Sequence, residues 1–155
     1  MAKDATGKQL VISPKGLAFI KGYEKEVLSV YNDGYGYLTC GVGHRVLPAD
    51  HLVKGQKITK AQSDAFFAHD VAVHAQPVDE LVTKPLTQNQ YDALVSLVFN
   101  IGGPNFKKSS VLRLINAGNY VGAAAHFMDW IHSAGKVSKG LINRRNAEKK
   151  IFLSA

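Results

Sequence analysis

Residues 22–44 read GYEKEVLSVYNDGYGYLTCGVGH, and this stretch contains a helix end, a turn and a glycine-rich strand. Glu24 closes a run of apolar residues with helical spacing, and Ser13 with the proline after it is typical of a helix N-terminus. Asp33 precedes a glycine in a turn, after which Tyr35, Tyr37 and Thr39 alternate with Gly36, Leu38 and Cys40, and glycine recurs. The stretch predicts a helix over residues 13–24, followed by a small β-hairpin or sheet.

The remainder of the chain has helical patterns. Thr59 with Gln62 forms a capping box, and the helix that it opens is predicted to end before Pro77. Thr87 with Gln90 opens a second helix with a core-facing stripe, predicted to be the central helix. The stripe consists of Tyr91, Leu94, Val95 and Val98 and ends at Gly102. Three later helices are predicted: from Ser110 to Gly118, over residues 120–132 with Phe127, Trp130 and Ile131 inward, and over Leu141–Phe152.

The order of these elements predicts an α+β fold. A small glycine-rich β part occupies about residues 25–58, and a larger helical part comprises about residues 59–155 plus the first helix. Residues 1–10 are polar and are predicted to form a short frayed tail. Since 155 residues is an ordinary length for one domain, residues 11–155 are predicted to fold as a single domain.

Composition excludes several classes of protein. With 46% apolar and 20% charged residues the chain is too apolar for intrinsic disorder, and no apolar run approaches the roughly 20 residues of a membrane helix. The formal charge of +7 favours an anionic partner. Cys40 is the single cysteine, which excludes an intramolecular disulfide and a cysteine-based zinc cluster. His69 and His74 lack the i, i+4 spacing of a helical zinc site, so neither a metal nor an organic cofactor is expected.

Glu24, Asp33 and Thr39 are the candidate chemical groups. Glycoside hydrolysis requires an acid that protonates the leaving oxygen and a carboxylate that attacks or activates water. A glutamate at a helix end and an aspartate in a polar turn would supply two carboxylates in different environments. The threonine hydroxyl could hold a water against the aspartate. Each residue alone is ordinary at its position, and only their spacing points to catalysis.

Eight residues separate Glu24 from Asp33, five separate Asp33 from Thr39, and CGVGH follows directly. This spacing resembles the signature of phage-type lysozymes, the muramidases of glycoside hydrolase family 24. The segments QYDALVSLVFNIGG (90–103) and AAHFMDWIHSAGKVSKGLINRRNAE (124–148) are similar to the central helix and C-terminal region of that family. The resemblance covers about residues 11–153.

The resemblance implies a lysozyme-like fold with two lobes and a glycan groove between them. It implies hydrolysis of the β-1,4 bond between N-acetylmuramic acid and N-acetylglucosamine in peptidoglycan, with inversion at the anomeric carbon. In this interpretation Glu24 is the general acid, Asp33 activates or orients water, and Thr39 assists. Glu26 is a second nearby carboxylate, but its position two residues further along is expected to point it away from Glu24.

Further site residues follow from the same resemblance. Phe99 and Ser110 match groove-lining residues, and Arg45 and His126 stand at groove positions where the side chain varies, so the four are candidates for substrate binding. Core packing is the alternative role for Phe99 and helix capping the alternative for Ser110.

Four more residues are predicted to support the site. His44 is expected to have a structural role, with Asp70 as its partner across the lobes. The family pairs an arginine of the last helix with the catalytic glutamate. Arg144 and Arg145 are both candidates, and Arg145 is the freer one if Arg144 forms an i, i+4 surface pair with Glu148.

The leading functional prediction is a phage endolysin. It would be a monomer made in the host bacterial cytoplasm without a signal peptide, released by a separate holin to act on periplasmic peptidoglycan, with neither membrane insertion nor nucleic-acid binding. A muramidase toxin of a phage tail or secretion system, with an immunity protein, is an alternative that shares the chemistry. A lytic transglycosylase would not need Asp33, and a wall-binding relative without activity would not need the three groups. A basic nucleic-acid-binding module is the alternative from another class, although no binding motif accompanies the charge.

Overall fold

The structure is a computed structural model that describes residues 1–154 and contains, within that range, seven α-helices and five short β-strands. The predicted α+β class is confirmed. In chain order the elements are α1 (Pro14–Tyr23), β1 (Glu26–Asn32), β2 (Leu38–Val42), β3 (His44–Arg45), a 3-10 helix (Pro48–Asp50), α2 (Lys60–Leu81), α3 (Gln88–Ile101), α4 (Gly103–Lys107), α5 (Ser110–Asn116), α6 (Tyr120–Ala125), a second 3-10 helix (His126–Asp129), β4 (His132–Ser133), β5 (Lys136–Val137) and α7 (Lys139–Phe152).

The chain divides into two compact units. One consists of Ile20–Val73 and contains the three-stranded sheet, and we call it the β-unit. The other combines Met1–Phe19 with His74–Ala155, and we call it the helical unit.

The β-unit is built around an antiparallel sheet in the order β1-β2-β3. Its register is interrupted between Val27 and Tyr31, where three residues of β1 lie opposite the single residue Cys40. Such a bulge bends a strand and increases its twist. One face of the sheet packs into a small apolar core made of Val30, Cys40 and Ile58 with Leu38, Val46, Leu52 and Phe66.

The helical unit is organised around α3. Residues Tyr91 to Val98 of this helix are all buried, so α3 is the central helix that the sequence predicted. Its N-terminus has the expected capping box, in which Thr87 Oγ1 accepts from the Gln90 amide and Gln90 Oε1 accepts from the Thr87 amide. Helix α7 packs against α3. The capping box predicted at Thr59 is likewise present at the start of α2.

The first ten residues are ordered, contrary to the expectation of a frayed tail. Gly7, with a φ of +87°, closes a turn that pairs Lys3 with Gln9 and buries Ala2 and Leu10. The Lys3 carbonyl then accepts a hydrogen bond from the Leu86 amide at 2.9 Å. Because a polar turn separates these two apolar residues, the composition of the segment does not reveal the small hairpin that they anchor.

Helix α2 does not end before Pro77 as predicted but continues to Leu81. Proline removes one backbone N–H, which costs the helix a single hydrogen bond and crowds the preceding turn. Burial of Val78 next to it favours continuation. Pro77 also packs against Gly103, where a Cβ would lie 2.9 Å from the proline Cγ, so the ring has a specific place in the core.

The predicted helix over residues 120–132 is shorter than expected. Helix α6 ends at Ala125 and tightens into a 3-10 helix, and β4 begins at His132. Strands β4 and β5 are joined by two residues that both have positive φ, +51° at Ala134 and +78° at Gly135, as in a type I′ turn. Alanine rarely adopts this conformation, which is why the sequence pattern did not reveal the hairpin.

Helix α5 begins at Ser110, as predicted, but the capping role considered as an alternative for Ser110 belongs to its neighbour. Ser109, and not Ser110, is the N-cap, because its Oγ accepts from the Leu112 amide at 3.1 Å. The short helix α4, which begins directly after Gly102, was not predicted at all. Among residues 1–154, no helix combines the length and the hydropathy that crossing a membrane would require.

The ordered N-terminus leads to a stability prediction. Replacing Leu10, which is 5% exposed, by alanine is expected to lower the free energy of unfolding by about 2–3 kcal/mol, since buried methyl groups are lost and a cavity remains. The adjacent Val11 is 67% exposed, so Val11→Ala is the matched control and should change it by less than about 0.5 kcal/mol. Urea unfolding followed by circular dichroism measures both, and equal effects would show that the segment does not contribute to the core.

Candidate active site

Glu24 directly follows α1, where its amide donates to the Lys21 carbonyl at 3.3 Å. Its half-buried carboxylate lies against the turn between β2 and β3. A Cβ placed on Gly43 would be 3.4 Å from Glu24 Oε2, and Gly43 has a φ of +68°. Glycine at this position therefore satisfies the turn and leaves room for the carboxylate.

Asp33 lies in the loop that joins β1 to β2. Its Oδ1 accepts hydrogen bonds from the Tyr35 amide at 2.7 Å and the Tyr37 amide at 3.2 Å, while its own amide donates to the Tyr37 carbonyl at 3.0 Å. The two bonds to Oδ1 fix the orientation of the carboxylate, and the third holds the backbone of the loop. Oδ2 accepts no hydrogen bond from a donor in the described residues, so it can accept one from a water or a substrate.

Thr39 is the second residue of β2, where it pairs with Tyr31 of β1 and Arg45 of β3. Side chains of directly paired residues share one face of a sheet, and this face is opposite to the one that contains Leu38 and Cys40. Thr39 is therefore turned away from the apolar core of the β-unit, although it is only 8% exposed. Together with Glu24 and Asp33, the whole predicted triad belongs to the β-unit.

Glu26, the competing carboxylate, is engaged in structure. Its carboxylate accepts from Ser63 Oγ at 2.6 Å and from Lys60 Nζ at 2.9 and 3.0 Å, which ties the start of β1 to α2. The hydrogen bonds from Ser63 and then Lys60 lower the pKa of Glu26. A carboxylate stabilised in its ionised form is a poor proton donor, so its surroundings disfavour Glu26 as a general acid.

His44 lies at the centre of a buried polar cluster within the β-unit. Its Nδ1 is 2.8 Å from Asp70 Oδ2, and its Nε2 is 2.8 Å from Asp50 Oδ2. The ring stacks on Phe66 with centroids 4.0 Å apart. The structure thus brings His44 and Asp70 together, but both belong to the same unit, so the expectation of a contact across the lobes is wrong.

Asp50 is the partner that sequence reasoning missed. It ends the first 3-10 helix, and its Oδ2 also accepts the Leu47 amide at 2.8 Å. Partial burial acts to raise its pKa, but the hydrogen bonds from Leu47 and His44 outweigh burial and lower it. The segment from Leu47 to Asp50 contained the signal for this role, because an aspartate three residues after Leu47 and two after a proline is placed to cap a short helix.

The candidate substrate-binding residues lie in both units. Arg45 is exposed on β3, and its guanidinium carbon lies 3.6 Å from the centroid of the Tyr37 ring. Phe99, near the end of α3, is half-buried with its ring centroid 5.0 Å from that of His74. Ser110 is the half-buried first residue of α5, and His126 Nδ1 lies 2.8 Å from Asp129 Oδ2.

Arg144 and Arg145 are buried, contrary to the surface pair that was expected for Arg144. Glu148 Oε1 lies 2.8 Å from Arg145 Nε, and Glu148 Oε2 lies 3.4 Å from Arg144 Nε. Ser96 Oγ donates to Glu148 at 2.5 Å, and Arg145 Nη2 donates to Asn100 at 2.5 Å. Both arginines therefore contact Glu148, so the argument that made Arg145 the freer one is wrong. Pairing of either arginine with Glu24 stays a prediction.

This cluster places three charged side chains in the core of the helical unit. Burial raises the pKa of Glu148, while the two guanidiniums and the Ser96 hydroxyl oppose that rise. Burial likewise lowers the pKa of Arg145, and the Glu148 carboxylate opposes that change. In residues 1–154, no group of three histidine, cysteine, aspartate or glutamate side chains is arranged to hold a metal ion.

The chain is similar to known proteins in both sequence and structure. The sequence model described as Phage lysozyme matches residues 21–148. An endolysin of Acyrthosiphon pisum secondary endosymbiont phage 1 is 45% identical over 150 residues, with 93% of this chain and 99% of the relative covered. The endolysin of Salmonella phage P22 is 41% identical over 144 residues, with 92% and 98% covered. The solved muramidase domain of SpmX from Asticaccaulis excentricus matches with a TM-score of 0.85 and 35% identity, covering 95% of this chain and 100% of that one.

The Asp50 interactions predict a pH-dependent contribution to stability. Because the folded state lowers the pKa of Asp50, its contribution is present above the pKa of an unfolded aspartate, about 4, and is lost as pH falls through the folded value. Asp50→Asn should therefore lower the free energy of unfolding by about 1–2 kcal/mol at pH 6 and by progressively less towards pH 2. Urea titrations across this range measure the difference, with Glu80→Gln, which removes an exposed carboxylate, as control. A difference that grows in acid would contradict this account.

Proposed function

Since the chain belongs to the phage lysozyme family, we propose that Glu24, Asp33 and Thr39 carry out its glycosidase reaction. The chain is a peptidoglycan hydrolase of the lysozyme (muramidase) type. The observation that supports the proposed roles is the contrast between the two carboxylates. Glu24 is half-buried beside a glycine turn, whereas Asp33 is held by backbone amides in a loop.

In the proposed reaction Glu24 donates its proton to the glycosidic oxygen that leaves the anomeric carbon of N-acetylmuramic acid. As the carbon–oxygen bond breaks, a water attacks the opposite face of the sugar and gives a proton to Asp33. Thr39 orients that water through its hydroxyl. The products are a new reducing end on N-acetylmuramic acid and a hydroxyl on N-acetylglucosamine, with inversion at the anomeric carbon.

The catalytic domain is proposed to include the first ten residues as well as residues 11–154, since Ala2 and Leu10 are buried. The match to the family runs from residue 21 to residue 148 and therefore includes parts of both units. Phe99, Ser110, His126 and Arg45 are each proposed as substrate-binding residues.

The biological role is that of an endolysin in host lysis, as the similarity to two phage endolysins along nearly their whole length indicates. Release to the periplasm through a pore formed by a separate holin is the proposed delivery route. Expression of the chain in a bacterial host with and without a pore-forming protein tests this route, because only the combination should cause lysis. Lysis by the chain alone would contradict it.

Replacing each of the two nearby glutamates by glutamine in turn tests which of them is the general acid. Glu24→Gln removes the transferable proton and is expected to reduce hydrolysis of purified peptidoglycan by at least about 100-fold, the usual scale of general acid catalysis. Glu26→Gln is the matched control, since the amide oxygen can still accept from Ser63 and Lys60, and it should keep most of the activity. The opposite pattern, in folded variants, would exclude Glu24 as the acid.

Mass spectrometry of the soluble fragments tests the reaction type. Hydrolysis predicts fragments that end in reducing N-acetylmuramic acid, whereas a lytic transglycosylase would give 1,6-anhydro ends and would leave Asp33 without its proposed task. Asp33→Asn should abolish the reducing ends. Proton NMR of the first product should show the α-anomer if the reaction inverts.

A further inference from the structure

Arg45 and Tyr37 form an ordered pair on the solvent side of the β-unit. The guanidinium carbon lies 3.6 Å above the Tyr37 ring, a distance at which cation–π attraction is effective. Both residues are exposed, Tyr37 by 45%. Among residues 1–154, no carboxylate forms an ion pair with Arg45. Stacking on the ring restrains the guanidinium and leaves its N–H groups available at its edge.

The backbone connects this pair directly to the proposed catalytic residues. Arg45 is the register partner of Thr39 in the β2–β3 ladder, so the two side chains share a face of the sheet. The amide of Tyr37 is one of the two donors that hold Asp33 Oδ1. A substrate in contact with Asp33 and Thr39 would therefore lie beside Arg45.

A planar guanidinium with available edge donors is suited to bidentate binding of a carboxylate. Peptidoglycan carries such groups near its cleaved bond, because the lactyl branch of N-acetylmuramic acid ends in a carboxylate or, when it is substituted, in a peptide that has carboxylates of its own. We propose that Arg45, positioned by Tyr37, binds a carboxylate of the muramic acid branch and so selects muramic acid over unbranched N-acetylglucosamine chains. This inference rests on the proposed function in one respect: the roles of Asp33 and Thr39 define where the sugar lies.

Binding of disaccharides that lack the cleaved bond tests this inference without turnover. The probes are N-acetylglucosaminyl-N-acetylmuramic acid with its stem peptide, the same disaccharide without peptide, and chitobiose, which has no carboxylate. NMR titration of the wild-type protein should show about fivefold tighter binding of at least one carboxylate ligand than of chitobiose, the scale of an exposed but well-oriented ion pair. Preference for the first or second probe identifies the peptide or the lactyl group as the source of the carboxylate.

The variants separate a specific contact from a general charge effect. Arg45→Gln should abolish the preference, Arg45→Lys should retain part of it, and Tyr37→Phe, which keeps the ring, should retain nearly all of it. Lys54→Gln removes one exposed positive charge elsewhere in the β-unit and is the matched control, expected to behave as the wild type does.

Three results would overturn the inference: equal binding of all three probes by the wild type, an unchanged preference in Arg45→Gln, or an equal loss in Lys54→Gln. Failure of the catalytic assignment on which the inference rests would instead appear as undiminished hydrolysis by Asp33→Asn, so the two failures are distinguishable. A preference that is lost only in Arg45→Gln and weakened in Tyr37→Leu supports the inference.

Discussion

The alternation of side chains along β2 is the constraint on which the candidate active site depends. Leu38 and Cys40 are directed into the apolar core of the β-unit, and this burial fixes the register of the strand. Because the period of a strand is two residues, the same register turns Thr39 to the opposite face. A shift of one residue would direct the threonine into the apolar core and turn Leu38 and Cys40 out of it, so the position of this hydroxyl is determined by the packing behind it.

Much of this arrangement could be predicted from the sequence because its signals are local. The capping boxes at Thr59 and Thr87 and the apolar stripe of α3 depend on residues within one or two helical turns of each other, and the structure contains all of them. The turn at Asp33 is of the same kind, since its aspartate bonds to amides two and four residues later. The roles proposed for Glu24, Asp33 and Thr39 rest on their spacing and on the family resemblance.

The features that sequence reasoning missed depend on partners far apart in the chain. Leu10 becomes a core residue because the first ten residues fold back and the Lys3 carbonyl accepts from the Leu86 amide, and Pro77 within α2 packs closely against the distant Gly103. The burial of charged residues is even harder to predict from sequence, since a charged residue is assigned to the surface by default. Glu148 is fully buried beside the two guanidiniums of Arg144 and Arg145 and the Ser96 hydroxyl, and no local pattern indicates that combination.

The burial of Cys40 has a practical consequence for the study of this chain. It is the single cysteine, its side chain is fully buried, and burial raises the pKa of its thiol, so little reactive thiolate is available at neutral pH. A cysteine introduced at any exposed position would therefore react selectively with maleimide or iodoacetamide reagents in the native protein. Fluorophores or spin labels can thus be attached at chosen positions without replacing the natural cysteine and disturbing the core beneath the candidate site.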